Sequence, residues 1–517
     1  MNLLKSLASM SLVTASGRFL CFVRDFLIAY TFGVSFETDV FFSIFKIPNL
    51  LRRIFTEGIV SQAFIPVLSE YKTNHKHSLT KDFISCIFGL LIILLTIIMF
   101  IAILFPNVIV ITMSPGFLNN TVKLNLAIKL FKIVFPYIIF ASLSSFFSSI
   151  LYIYGVFLVP LFAPILLNIC IILFAVFSIY FKDIYLYPQI LFLGWGVIFG
   201  GFLQTIYQLP FLSIKKILVL PSINFNNIGL KRVLYKLIPS LLGVSIGQIS
   251  LIINSIIASL FTSGSISWLY YADRLTELPV GILGSSISTL IFPKLIKYYT
   301  LKNTESYSKL LDWSLRISLL LSLPCASLLI FLSKPFIISL FQYGNFTNID
   351  TLITQKILLY YALGIIALII VKILSTAFYA IKDVIIPMKI SFLTLLITQI
   401  LNLFFVFFLN QSSLALSGSI SAWVNAILLF FILYRKKIFF PQPGWFIFFK
   451  KIFLSTIIMS ISLLFLSYFI STWYVGNIFI RILRIFSVCV FGSFIYIISL
   501  WCNNITIKQF YYEDEGI

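Results

Sequence analysis

The sequence predicts an all-α polytopic membrane protein. About fourteen transmembrane helices form two parallel six-helix lobes around a central cationic cavity, with two extra helices at the C-terminal end. Three observations lead there. Of 517 residues, 60% are hydrophobic and only 10% charged, with a mean hydropathy of +1.08, a composition that belongs in lipid. Apolar stretches long enough to cross a bilayer recur along the whole chain. One stretch, residues 39–58 (DVFFSIFKIPNLLRRIFTEG), places five charged side chains where membrane is expected.

Taken in order, the candidate spans lie near residues 10–32, 38–70, 84–107, 127–153, 158–181, 189–212, 237–262, 266–293, 310–333, 353–381, 385–409, 414–434, 449–470 and 478–502. Each approaches the roughly 20 residues needed to cross a hydrocarbon core about 30 Å thick. Spans one, two and eight are the polar ones, and a plain hydropathy window is expected to pass over them. Residues 1–10 include Lys5, but no small-residue cleavage site follows. Arg18 and Arg24 also interrupt any signal-like apolar core, so a cleaved signal peptide is not expected.

The loops set the orientation. Lys and Arg crowd one side, with Lys72, Lys76 and Lys81, then Lys215, Lys216, Lys231, Arg232 and Lys236, then Lys294, Lys297, Lys302 and Lys309, and finally Arg435, Lys436, Lys437, Lys450 and Lys451. The opposite loops carry Lys123, Lys182 and Lys334. This asymmetry places both termini in the cytoplasm, and an odd number of spans would scramble it. Topology therefore accounts for the net charge of +21, and nucleic acid is not an expected partner. The six cysteines lie in or beside apolar spans without a CxxC pair, so neither a disulfide framework nor a metal site is expected.

An internal repeat organises the spans. Ser61, Pro66, Leu68 and Tyr71 recur 227 residues later as Ser288, Pro293, Leu295 and Tyr298, and the same offset carries Tyr152 and Pro160 to Tyr379 and Pro387. Six spans per repeat keep both halves in one orientation, an arrangement typical of transporters. The expected division is residues 1–220 (helices one to six), 221–440 (helices seven to twelve) and 441–517 (helices thirteen and fourteen with a short tail).

A charge at mid-bilayer costs about 2.5–3.5 kcal/mol even on a lenient scale, so the five in span two do not face lipid. On an ideal helix Asp39, Lys46, Asn49, Arg53 and Glu57 share one stripe, with Arg52 about 100° round the helix from Arg53; Pro48 blurs the phase. In span one Arg18 and Asp25 share a face with Ser11 and Thr14, while Arg24 points about 120° away. Span eight gathers Tyr270, Asp273, Arg274, Glu277, Gly281, Gly284 and Ser288 on one side, and Lys372 sits mid-span in the tenth helix. Internal pairing that merely fixes helix packing is the plain alternative. Yet Asp25, Asp39, Glu57, Asp273 and Glu277 are five acids against the seven cations Arg18, Arg24, Lys46, Arg52, Arg53, Arg274 and Lys372, an excess of two positive charges. Such a cavity suits an anion, phosphate above all, because the guanidinium fork binds its oxygens in pairs.

Soluble-enzyme templates are missing: there is no Walker A loop, GxSxG or HExxH. Neither an enzyme nor a cofactor is expected, and the driving force falls to an ion gradient, the membrane potential or the substrate's own gradient. Asn254 and Asn402 leave sodium ligation and plain interhelical hydrogen bonding both open, so the coupling ion is unknown. Gly243 and Gly247, at GxxxG spacing, suit close helix packing more than a hinge.

The stretches MNLLKSLASMS, GRFLCFVRD, TDVFFSIFKIPNLLRRIFTEGIVSQAFIPVLSEY, WLYYADRLTELPVGILG, SLFQYGNFT and FPQPGWF resemble the MurJ (MviN) family, the lipid II flippases of bacterial peptidoglycan synthesis. The resemblance implies a fourteen-helix member of the multidrug/oligosaccharidyl-lipid/polysaccharide exporter superfamily. Its cavity would be V-shaped and cationic, and helices thirteen and fourteen would receive the lipid tail. The family's required arginines fall on Arg18, Arg24, Arg52 and Arg274, which would bind the substrate pyrophosphate, and a required acid falls on Asp39. Asp25, Asp39, Lys46, Arg53, Glu57, Asp273 and Glu277 would orient or gate. The stripe favours Arg53 where the resemblance selects Arg52. Cys21 and Thr376–Ala377 replace the family's usual Gly and Pro-Gly, removing helix-softening residues from spans one and ten.

The implied function is alternating-access translocation of lipid II, the undecaprenyl-pyrophosphate-linked muropeptide, from the inner to the outer leaflet of the cytoplasmic membrane. Lipid II and membrane lipids are the expected partners. A drug or cation antiporter of the same superfamily is the rival, and would need an acidic site. An enzyme acting on polyprenyl phosphates would need catalytic groups on an outer loop, and loop 334–352 offers only Lys334 and Asp350 as charged residues.

Overall fold

The computed structural model describes residues 3–55, 64–74, 77–180, 188–222, 224, 228–470 and 473–505, and their side chains except at 3–11, 74, 228 and 236–247. Every regular element among the described residues is a helix, and the chain divides into two compact units, Met1–Ser267 and Trp268–Ile517.

The first unit holds α1 (Leu3–Phe32), α2 (Phe36–Arg53), α3 (Ile65–Asn74), α4 (His77–Leu104) and the short α5 (Pro106–Met113). A 3-10 turn (Pro115–Asn119) leads into α6 (Thr121–Val134), followed by α7 (Tyr137–Ile153), α8 (Leu158–Tyr180), α9 (Ile190–Ile206), α10 (Leu209–Ile214) and α11 (Ile228–Ser259). Next, α12 (Ser265–Pro279) begins three residues before the division and passes through a π-helical turn (Val280–Gly284) into α13 (Ser285–Thr300). The second unit continues with α14 (Thr304–Phe331), α15 (Ser333–Leu340), α16 (Asn348–Ala380), α17 (Ile385–Leu409), α18 (Ser412–Arg435), α19 (Trp445–Phe469) and α20 (Ile478–Cys502).

Among the described residues, eleven stretches are long and apolar enough to cross a membrane. Three of them join helices end to end: Thr121–Ile153, Ile190–Ile214 and Ser265–Thr300. The last corrects the expectation that a hydropathy window passes over span eight. After Glu277 no charged residue follows until Lys294, and that apolar run restores the average. Helices α1 and α2, the other polar spans, are not among the eleven, and α11 counts only as the apolar segment Gln248–Ser259. Gly243 and Gly247 lie where side chains are not described.

Helix ends recur at the 227-residue spacing. His77–Leu104 corresponds to Thr304–Phe331, and Pro106–Met113 to Ser333–Leu340. The pair α6–α7 covers the same positions as the unbroken α16; the chain breaks at Pro136, which lacks the N–H a continuing helix would use. Gly155 (φ +78°) and Lys382 (φ +62°) end their helices in the left-handed conformation, which costs a lysine about 1–2 kcal/mol. At the start of α2, Thr38 Oγ1 donates to the Ser35 carbonyl at 3.0 Å; before α12, Ser265 Oγ donates to the Thr262 carbonyl at 2.7 Å.

Packing fixes the helices that carry the polar residues. In the first unit, Phe64, Phe83 and Phe146 form an aromatic core with Leu68, Ile87 and Val233. On α9, a Cβ on Gly200 would lie 2.9 Å from the Leu167 Cα, and one on Gly201 would lie 2.6 Å from the Tyr137 ring. Glycine therefore lets α9 press directly against α8 and α7. In the second unit, Met459 and Leu463 of α19 pack with Val488 and Tyr496 of α20, and the Tyr496 hydroxyl donates to the Leu320 carbonyl of α14 at 2.9 Å.

Candidate functional site

The first polar cluster forms where α1, α2, α7, α8 and α9 meet. Arg24 is 5% exposed and Asp25 fully buried. Asp25 Oδ1 accepts from Arg24 Nε at 2.9 Å and Nη2 at 2.6 Å, and Asn168 Oδ1 accepts from Arg24 Nη1 at 2.9 Å. The helical wheel had separated Arg24 from the Asp25 face. A wheel locates Cβ atoms, and the long arginine chain curls back to its neighbour. Tyr137 lies within electrostatic reach of both Arg24 and Arg52 and is hydrogen-bonded by Gln204. The Arg52 Nε is buried without a hydrogen-bond partner, which costs about 1–3 kcal/mol or more for a charged group. Arg53 lies on the exposed side of α2. Arg24 and Asp25 thus come together, Arg52 lies within electrostatic reach of the same tyrosine, and Arg53 is exposed. Arg18 is exposed and Lys46 half-buried. Glu57 lies outside the described residues.

A second cluster surrounds Asp39 in the first turn of α2. Its carboxylate, 1% exposed, accepts from Lys123 Nζ at 3.2 Å, the Gly264 N–H at 2.6 Å, the Ser267 N–H at 3.0 Å and the Ser267 hydroxyl at 2.9 Å. Two of these donors belong to the N-terminal end of α12, whose first N–H groups have no partner within the helix. Asp39 therefore caps a helix 225 residues away in sequence. Lys123 is buried, with its ammonium 4.6 Å from the Phe117 ring centre.

The third cluster, on α12 in the second unit, holds Arg274. Its Nη1 donates to Glu277 Oε2 at 2.7 Å and its Nη2 to the Tyr270 hydroxyl at 2.9 Å, with the guanidinium 5.2 Å from the Tyr270 ring centre. Asp273 and Glu277 are exposed on the same helix. Nearby in this unit, a Cβ on Gly284 would come within 2.9 Å of the Lys372 side chain.

Sequence reading missed Asn168, Tyr137 and Gln204, neutral residues inside apolar spans with no pattern to single them out. Lys123 was assigned only to a loop, although its rarity on that side was a signal. The linker before α19 is also pinned: Asp312 on α14 accepts from Trp445 Nε1 at 2.6 Å and the Gln442 N–H at 2.9 Å, and pairs with Arg316 at 2.7 Å.

The family model for lipid II flippase MurJ matches residues 28–484. The chain is 49% identical over 100% of both lengths to a probable lipid II flippase MurJ of Buchnera aphidicola subsp. Acyrthosiphon pisum. It is 38% identical to the lipid II flippase MurJ of Burkholderia cenocepacia over 87% of this chain and 88% of that one. Among solved structures, lipid II flippase MurJ in an inward closed conformation matches with TM-score 0.77 and 28% identity, over 95% of this chain and 99% of that one. An inward-facing multidrug resistance MATE family transporter of the MOP superfamily, 14% identical over 82% of this chain and 98% of that one, shares the fold with TM-score 0.67.

A buried arginine held among apolar helices of this fold marks a multi-pass membrane transporter. By the family match and the full-length identity, the chain belongs to the MurJ family of lipid II flippases.

Proposed function

We propose that this protein carries lipid II from the inner to the outer leaflet of the bacterial cytoplasmic membrane by alternating access, with no covalent bond changed. The observation that carries this is Arg24, 5% exposed among the helices of a MurJ-family chain and held there by Asp25 and Asn168. A fixed cation deep among apolar helices suits the pyrophosphate, the one strongly anionic group common to every lipid II molecule.

Arg18, Arg52 and Arg274 join it as ligands. Asp25 and Glu277 orient the guanidinium groups, Asp39 latches the N-terminus of α12, and Lys46, Arg53 and Asp273 support. Fourteen spans in two six-helix lobes, with residues 441–517 receiving the lipid tail and both termini cytoplasmic, complete the arrangement. Membrane lipids surround it, and the coupling ion is unassigned. The MATE fold match supports a rival, drug or cation antiport, but five acids against seven cations is the wrong sign for a cation.

The test uses spheroplasts of a flippase-depleted host exposed to an outside-acting toxin that cleaves lipid II. Wild-type protein is expected to restore cleavage, and Arg24→Ala or Arg274→Ala, expressed normally, to abolish it. Unchanged cleavage with wild type overturns the flippase assignment in favour of the antiporter.

A further inference from the structure

We propose that Asn168 is a positioning residue for substrate recognition, holding the Arg24 guanidinium in place without cancelling its charge. The inference rests on the reading of Arg24 as a pyrophosphate ligand. Asn168 lies on α8, 8% exposed, and its Nδ2 donates to the Pro164 carbonyl one turn back at 3.3 Å. That bond commits the nitrogen to its own helix and turns Oδ1 toward α1, where it accepts from Arg24 Nη1 at 2.9 Å. An amide's orientation is fixed by the network around it, and here one assignment satisfies both ends.

The remaining grip comes from Asp25, which takes Nε and Nη2 through one oxygen. All three guanidinium nitrogens are therefore held, by groups on two helices, so a long flexible side chain keeps a single plane. The choice of amide on the α8 side has a chemical reason. Asp25 already offsets one charge, and a second carboxylate would leave the guanidinium little attraction for phosphate. A neutral oxygen fixes the fork and keeps its charge.

The position of α8 does not depend on Arg24. Gly196 and Gly200 of α9 press against its backbone, and a Cβ on Gly17 of α1 would sit 3.3 Å from Ile165. Asn168 is a fixed post on one side of a movable group.

The experiment measures lipid II affinity of the full chain in nanodiscs for wild type, Asn168→Leu, Asn168→Asp, Arg24→Ala and the double variant Arg24→Ala/Asn168→Leu. Asn168→Leu is expected to weaken binding about tenfold, and the double variant to bind no worse than Arg24→Ala alone, because Asn168 acts only through Arg24. Asn168→Asp keeps the acceptor and the fold but also weakens binding, by cancelling charge. If Asn168→Leu fails to fold, Asn168→Asp decides, and wild-type affinity there overturns the proposal. So does an equal loss from Asn168→Leu with and without Arg24. Wild-type affinity in Arg24→Ala would instead remove the underlying reading of Arg24.

Discussion

Replacing Asp39 should cost more than replacing the lysine that pairs with it. Asp39→Asn leaves Lys123 buried without a counter-ion and turns an amide with donors of its own toward the Gly264 and Ser267 N–H groups. Removing one member of a buried pair costs about 3–5 kcal/mol. Lys123→Met leaves the carboxylate with its three other bonds, from the Gly264 N–H and from the N–H and hydroxyl of Ser267. The loss is then closer to that of a single charged hydrogen bond, about 1.5–3 kcal/mol. In the double variant no lysine is stranded, so the two losses should not add; a coupling of about 1–3 kcal/mol is expected. Denaturant unfolding of purified protein in detergent, followed by tryptophan fluorescence, measures all four chains. Losses that add to within about 0.5 kcal/mol, or a lysine variant worse than the aspartate variant, would refute the capping argument.

Arg52→Ala should abolish lipid II exposure in the spheroplast assay, while Arg53→Ala keeps most of it, since Arg52 lies within electrostatic reach of Tyr137 and Arg53 is exposed; equal effects would put both in the site. Gly200→Val drives a branched side chain into the α8 backbone and should lower thermal stability by about 1–3 kcal/mol or more, read by a melting curve. In the α16–α17 turn, burial pushes the Asp383 carboxyl up, but hydrogen bonds from Lys436 and the Ile386 N–H outweigh it and hold the group below its usual 3.8. A lowered value in the folded state means the contribution is present above the ordinary carboxylate range and fades as pH falls through the folded value. Acid should thus weaken wild type more than Asp383→Asn in melting curves below about pH 4.

The fold was legible because lipid imposes a coarse requirement. Helices His77–Leu104 and Asn348–Ala380 are set by apolar length, and no long-range contact was needed to find them. The repeat was visible for a similar reason, as Tyr152 and Pro160, and Tyr379 and Pro387 at the same offset, lie close to helix ends. Breaks within spans were harder. Pro136 interrupts one span, whereas Pro164 and Pro324 sit inside continuous helices, and tertiary packing decides which way each goes. At the site, Arg24, Arg52 and Asp39 stood out because charge in an apolar run is conspicuous. Their partners did not. Asn168 lies 144 residues from Arg24, and no local pattern connects them.

The cap on α12 also has a consequence for how the chain is made. Asp39 leaves the ribosome 225 residues before Gly264. At about 5–20 residues per second, that is roughly 11–45 s during which α2 holds a carboxylate whose backbone donors do not yet exist. Lys123 arrives after only 84 residues, about 4–17 s at the same rate. The lysine is thus available as a provisional counter-ion, allowing a helix that lipid would reject to wait in the insertion machinery as half of a neutral pair.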